Sequence, residues 1–118
     1  MGLFASVSEK IGDDDQLAGL KNELGDEVLV TLVDMAQTNM ETGLQKVKEA
    51  LDAGDSTMLR EVAHSLKGST SSLCSLRFSE MAAAIEQNCN EIEQVKENFD
   101  EFEAAGQSTM DWWQSKRP

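Results

Sequence analysis

His64 is the only histidine of the chain, and it stands among basic and small residues. On a helix with about 100° between residues, four side chains lie within about 60° of the histidine: Arg60, Lys67, Gly68 and Ser71. A neutral imidazole is a nucleophile that can take up a phosphoryl group, and a neighbouring lysine can neutralise the phosphoryl oxygens as a point charge. Glycine destabilises the middle of a helix, but it leaves a gap beside the imidazole. The cluster therefore indicates phosphoryl transfer to and from a macromolecular partner.

The same helix has an apolar face on the side away from the histidine. Four apolar residues fall within about 40° of the pole opposite His64: Leu59, Val62, Leu66 and Leu73. We therefore predict that His64 points outward and is not a core histidine. A single exposed histidine is usually only a surface residue, so the prediction of chemistry depends on its neighbours.

Residues 63–69, Ala-His-Ser-Leu-Lys-Gly-Ser, resemble the signature of the histidine-containing phosphotransfer (HPt) domain: histidine, an apolar residue two positions later, then Lys-Gly and small residues. The resemblance extends over about residues 15–115. It implies that His64 accepts a phosphoryl group from the aspartyl phosphate of a receiver domain and passes it to another receiver, in a pathway with a hybrid sensor histidine kinase. It also implies that Lys67 stabilises the phosphoryl group and that Gly68 gives access to it. Many members have glycine ten residues after the histidine, where this chain has Cys74, which leaves the shape of the following loop open.

A receiver that reaches His64 is expected to dock over the third helix and one adjacent helix. Arg60, Gly68 and Ser71 form the part of this docking surface on the third helix, and Gln37 and Met40 on the second helix are candidates for its rim. The alternative is a non-catalytic helical adaptor that binds a signalling protein and does not need His64. A further alternative is an acidic mimic of nucleic acid, suggested by the acid-rich stretch 91–103, although a solvated helix face explains that stretch better.

Apolar residues recur at helical spacing along the whole chain, and the only proline is Pro118. The spacing predicts a helix that ends at Gly25, a long helix over 26–53, a third from Asp55 or Ser56 to a break near 74–76, a fourth that ends near 88–90, and a last one over 92–116. We predict an all-α fold: an antiparallel up-down four-helix bundle over 15–118, with 1–14 as an N-terminal segment that forms a short additional helix.

Composition excludes several other classes of function. The net charge of −12 repels phosphate backbones, so no nucleic acid is expected as a partner. No stretch approaches the roughly 20 apolar residues of a membrane span, and Cys74 and Cys89 fit no metal-ligand spacing. No glycine-rich nucleotide loop is present, so the chain is expected to be a phosphocarrier without kinase activity. We expect a cytoplasmic monomer with reduced thiols, no cofactor and no metal.

Overall fold

Six helices make up the fold in the computed structural model, which describes residues 2–118. They are α1 (Asp14–Leu24), α2 (Asp26–Ala53), α3 (Ser56–Ser71), α4 (Arg77–Gln87), α5 (Ile92–Glu97) and α6 (Phe99–Lys116). Residues 2–118 contain no named β-strand, only an isolated bridge between Gly12 and Ser75. The predicted all-α class is confirmed.

Residues next to the helix ends fix where α1 and α3 begin and where α2 ends. The Asp55 side chain accepts a hydrogen bond of 3.0 Å from the backbone N–H of Met58, so it caps α3. Asp13 caps α1 in the same way, through a bond of 2.9 Å from the N–H of Gln16. Gly54 ends α2 with a φ of 65°, a left-handed conformation that glycine adopts without a steric penalty.

Four helices enclose most of the core. α2 packs on α3 and α6, and α4 packs on the same two helices. The approach of α2 to α3 is close because Gly43 has no side chain: a Cβ there would lie 2.5 Å from Cδ2 of Leu66. These contacts hold α3 from two sides and leave one of its faces outward.

The N-terminal segment is not helical, contrary to the prediction for 1–14. Met1 lies outside the described residues, and residues 2–13 contain a turn at 3–6, several bends and the bridge residue Gly12 before α1 begins. Phe4 is buried, with its ring centroid 6.2 Å from that of Phe102. The backbone near residue 11 pairs instead with the α3–α4 connection: Leu76 N–H donates to Ile11 C=O at 2.9 Å, and Asp13 N–H donates to Cys74 C=O at 3.0 Å. Tertiary pairing has taken the hydrogen bonds that a helix would have used.

The predicted break after the third helix is confirmed at Cys74, which has a φ of 65°. A left-handed residue reverses the chain, so α4 returns beside α3. Trp113, which is fully buried, donates from Nε1 to the carbonyl of Leu73 at 3.1 Å and holds this connection against α6. The turn thus places α4 next to the helix that carries His64.

The last predicted helix is divided in two at Asn98. The Asn98 side chain donates from Nδ2 to the carbonyl of Gln94 at 2.7 Å. This local bond competes with the backbone hydrogen bonds that would continue the helix. Gly106 lies within α6 without interrupting it. A Cβ at Gly106 would lie 3.1 Å from Leu44 and 3.2 Å from Phe78, so close packing explains a glycine in this helix.

Among residues 2–118, no helix combines the length and the apolar character needed to cross a membrane.

Candidate functional site

His64 lies in the middle of α3 on its outer face, and 68% of its side chain is exposed. Leu59 and Leu66, on the other side of the same helix, are buried in the core. The predicted outward direction of the imidazole is therefore confirmed. Neither flanking helix covers the ring, so a macromolecule can reach it.

The imidazole is held from one side by Glu86, which extends from α4. His64 Nδ1 lies 2.6 Å from Oε2 of Glu86, and Lys67 Nζ lies 2.8 Å from Oε1 of the same carboxyl group. The bond from Lys67 is the main influence that lowers the pKa of Glu86, and the bond to His64 lowers it further, against an opposing effect of desolvation. Glu86 is therefore ionised at neutral pH.

The ionised carboxylate decides which ring nitrogen keeps its lone pair free. A carboxylate can only accept hydrogen bonds, so Nδ1 of His64 carries the proton and donates it to Glu86. In a neutral imidazole the lone pair then resides on Nε2, which forms no hydrogen bond with residues 2–118. Since Nδ1 faces Glu86, Nε2 is the ring nitrogen that is free to react.

Gly68 makes room one turn beyond the histidine. A Cβ built there would meet no atom within 4 Å, so nothing inside the fold requires glycine at this position. Arg60 and Ser71 are exposed on the same face, and Ser71 Oγ donates to the carbonyl of Gly68 at 3.1 Å. The structure thus brings together the five residues predicted on α3.

The two candidates on α2 lie elsewhere. Met40 is fully buried in the core and cannot contribute to a docking rim, so that prediction is wrong. Gln37 accepts a hydrogen bond from Gln114 of α6, on the side of α2 away from α3. Both residues were placed by helical spacing alone, which does not tell which side of a long helix faces which neighbour.

Sequence reasoning missed Glu86. It follows Ile85, the last residue of the apolar stripe of α4, and nothing in its local sequence distinguishes it from other surface acids. The sequence signal for Glu86 was only that it is an acidic residue beside the apolar stripe of α4, the helix that follows α3. Pairing it with His64 required the turn at Cys74.

The other candidate ligands among residues 2–118 form no metal site. In the described part of the chain, no three His, Cys, Asp or Glu side chains are grouped to hold a metal ion. Cys74 and Cys89 are free thiols, the first buried and the second half-buried.

Comparison with known proteins identifies a family and a similar solved structure. The family model of the Hpt domain matches residues 31–110, a range that includes His64, Lys67 and Glu86. The crystal structure of histidine-containing phosphotransfer protein B (HptB) from Pseudomonas aeruginosa PAO1 is similar, with a TM-score of 0.82 and 27% sequence identity over 93% of this chain and 96% of that one. No curated protein sequence matches the chain.

The chain belongs to the Hpt domain family. It therefore has a histidine phosphotransfer role in phosphorelay signalling, as a carrier of the kind that interacts with receiver domains and histidine kinases.

Proposed function

We propose that Nε2 of His64 accepts a phosphoryl group from the aspartyl phosphate of one receiver domain and passes it to the aspartate of another. The observation that carries this proposal is the exposed imidazole whose Nδ1 is held by Glu86 at 2.6 Å, which leaves Nε2 unpaired among residues 2–118. The ring is fixed in the tautomer that attacks, before any partner arrives.

In the forward step, the Nε2 lone pair attacks phosphorus, an N–P bond forms, and the P–O bond to the aspartate breaks. The aspartate leaves as a carboxylate, and the ring keeps its Nδ1 proton and becomes positively charged. Glu86 stabilises that developing charge through the hydrogen bond it already accepts. The reverse step, onto a second aspartate, follows the same path backwards, and the chain needs no base of its own.

Lys67 is proposed to stabilise the transferring phosphoryl group. Its ammonium carries three donors, and the structure shows one bond, to Oε1 of Glu86. Glu86 thus holds the ammonium near the imidazole while the other donors remain for phosphoryl oxygens. Arg60, one turn before His64, adds positive charge to a face that the net charge of −12 would otherwise make repulsive to phosphate.

The finer assignments are part of the same proposal. We propose that a hybrid sensor histidine kinase supplies the phosphate through its receiver, and that the protein acts in the cytoplasm as a monomer without kinase activity. Residues 15–118 would form the phosphotransfer unit, with α2, α3, α4 and the α5–α6 pair as an up-down bundle.

The test is phosphate transfer from a receiver domain labelled on its aspartate. Wild type is expected to acquire label that is stable to base and labile to acid, and His64→Ala is expected to acquire none. The fold of His64→Ala should persist because the side chain it truncates is mostly exposed. Gln107→Ala, an exposed change on α6, is the control and should transfer normally. Label on His64→Ala at the wild-type rate would overturn the proposal, and so would absence of label on wild type with every receiver of the source organism.

A further inference from the structure

The helix that carries Glu86 begins without a side-chain cap, at Leu76 and Arg77. The first N–H groups of a helix have no partner inside it and must be satisfied from elsewhere. Here the segment before α1 does so: Leu76 N–H donates to the carbonyl of Ile11 at 2.9 Å, and Arg77 N–H donates to that of Lys10 at 3.1 Å. The backbone of the N-terminal segment therefore caps α4.

Two side chains in the first turn of α4 hold the same segment at Ser8. Arg77 Nη1 donates to the carbonyl of Ser8 at 3.2 Å, and Oε1 of Glu80 accepts from the N–H of Ser8 at 3.1 Å. Both backbone polar groups of Ser8 are thus bound to α4. We call residues 8–13 the N-terminal strap.

The ring of Trp112, on α6, packs directly on the strap. A Cβ at Gly12 would lie 2.2 Å from Cη2 of this ring, whereas ordinary van der Waals contact begins at about 3.4 Å. Any side chain at position 12 must therefore displace the strap or the ring by about 1.2 Å. The ring is itself held, because its Nε1 donates to Oδ1 of Asp14 at 2.8 Å.

The position of α4 matters because Glu86 lies near its far end, nine residues after Arg77 and about 14 Å along the helix axis. Apolar burial is non-directional, so the core contacts of α4 hold it against α3 without fixing how far it lies along that helix. Hydrogen bonds at the start of α4 fix that distance. A displacement of about 1 Å along the bond would break the contact of 2.6 Å between Glu86 and Nδ1 of His64.

We propose that the N-terminal strap positions Glu86, with Gly12 and Arg77 as the positioning residues. By capping α4, the strap sets the height at which the carboxylate of Glu86 meets His64 and so keeps the proton on Nδ1. The proposal rests on the proposed function, in which Nε2 is free before a partner arrives. No strap residue forms a hydrogen bond with His64 within residues 2–118, so the strap acts on the imidazole through α4.

The tautomer of the His64 ring tests the proposal without any partner. In ¹⁵N-labelled protein at about pH 8.5, where the ring is neutral, ring spectra distinguish a protonated from an unprotonated nitrogen. Wild type is expected to carry the proton on Nδ1. In Gly12→Ala the ratio of the Nδ1–H to the Nε2–H tautomer should fall about fivefold, the effect of losing one ordinary hydrogen bond. An unchanged ratio in folded Gly12→Ala protein would overturn the proposal.

Arg77→Ala is a second variant, which introduces no new atom next to Trp112. It removes the guanidinium bond to Ser8, so the tautomer ratio should shift in the same direction. Arg77→Lys restores a donor at this position and should recover most of the wild-type ratio. If Gly12→Ala fails to fold, this pair decides the question, because a wild-type ratio in Arg77→Ala would overturn the proposal.

Two controls separate positioning from a general loss of stability. Gly2→Ala adds a Cβ that meets nothing within 4 Å in the same terminal segment, and it should keep the wild-type ratio. Val47→Ala removes buried methyl groups from α2, outside the strap and α4, so it lowers stability and should also keep that ratio. A shift in Val47→Ala as large as in Gly12→Ala would show that the ratio follows stability alone, against the proposal.

Phosphate transfer from a receiver domain labelled on its aspartate gives the functional reading. Gly12→Ala is expected to lower the maximal transfer rate about fivefold and to leave the receiver concentration at half-maximal rate unchanged, because it disturbs the reacting ring and not the docking face. The reverse pattern would contradict the role of the strap. If wild type transfers no phosphate while the tautomer responds as expected, the proposed function fails and the role of the strap in holding Glu86 stands.

Discussion

Replacing Gly68 by glutamine should make the protein more stable and less active at once. Gly68 lies in the interior of α3, where glycine costs about 1 kcal/mol relative to good helix formers such as alanine and glutamine. A Cβ at this position meets nothing within 4 Å, so the new side chain adds no internal clash. We expect the free energy of unfolding to rise by about 0.5–1 kcal/mol and the melting temperature by roughly 4 °C. The same side chain projects beside His64, so phosphate transfer from a receiver should fall more than tenfold.

Gly43→Ala is the matched control, because it adds a Cβ to a helical glycine that is closely packed, whereas Gly68 faces open space. The new atom would lie 2.5 Å from Cδ2 of Leu66, and α2 and α3 would have to move apart. Overpacking of this kind costs about 1–3 kcal/mol, which outweighs the gain in helix propensity, so this variant should be less stable than wild type.

Urea denaturation followed by circular dichroism gives both stabilities, and transfer of labelled phosphate gives the activity. If Gly68→Gln unfolds more easily than wild type, internal packing and not access explains the glycine. If it is stabilised but transfers at the wild-type rate, the idea that Gly68 clears a path to the imidazole is refuted.

Four further predictions concern the Glu86 network and the cysteines. Glu86→Gln keeps an acceptor for Nδ1 of His64 but removes the charge that we propose stabilises the phosphorylated ring, so transfer should slow about tenfold. An unchanged rate would contradict the proposed role of the carboxylate. Because the pKa of Glu86 is lowered below its ordinary value of 4.5 in the folded state, its stabilising effect is complete above 4.5 and is lost as pH falls through the lowered pKa; NMR titration of the carboxyl carbon should show a midpoint below 4.5. Lys67→Ala should slow transfer while leaving the melting temperature within about 2 °C, since surface ion pairs contribute little to stability. Burial raises the pKa of the Cys74 thiol, so iodoacetamide should modify Cys89 well before Cys74; peptide mass mapping that shows equal rates would argue against the turn described at Cys74.

Local sequence determined the helix that carries His64. Asp55 caps this helix, and Leu59 and Leu66 form its buried side. His64 lies on the opposite side of the helix and is therefore exposed. Each of these features depends on residues within a few turns of one another, where the fixed geometry of the α-helix relates spacing to direction. For the same reason the ends of α1 and α2 at Gly25 and Gly54 could be predicted.

The tertiary structure alone decided which helices meet. Glu86 reaches His64 because Cys74 turns the chain and sets α4 beside α3, and Met40 is buried because α2 faces the core there. The segment before α1 forms backbone hydrogen bonds with the α3–α4 connection and is not helical. Helical periodicity shows which residues share a face but not which neighbour that face meets, since the neighbour is chosen by packing between distant parts of the chain.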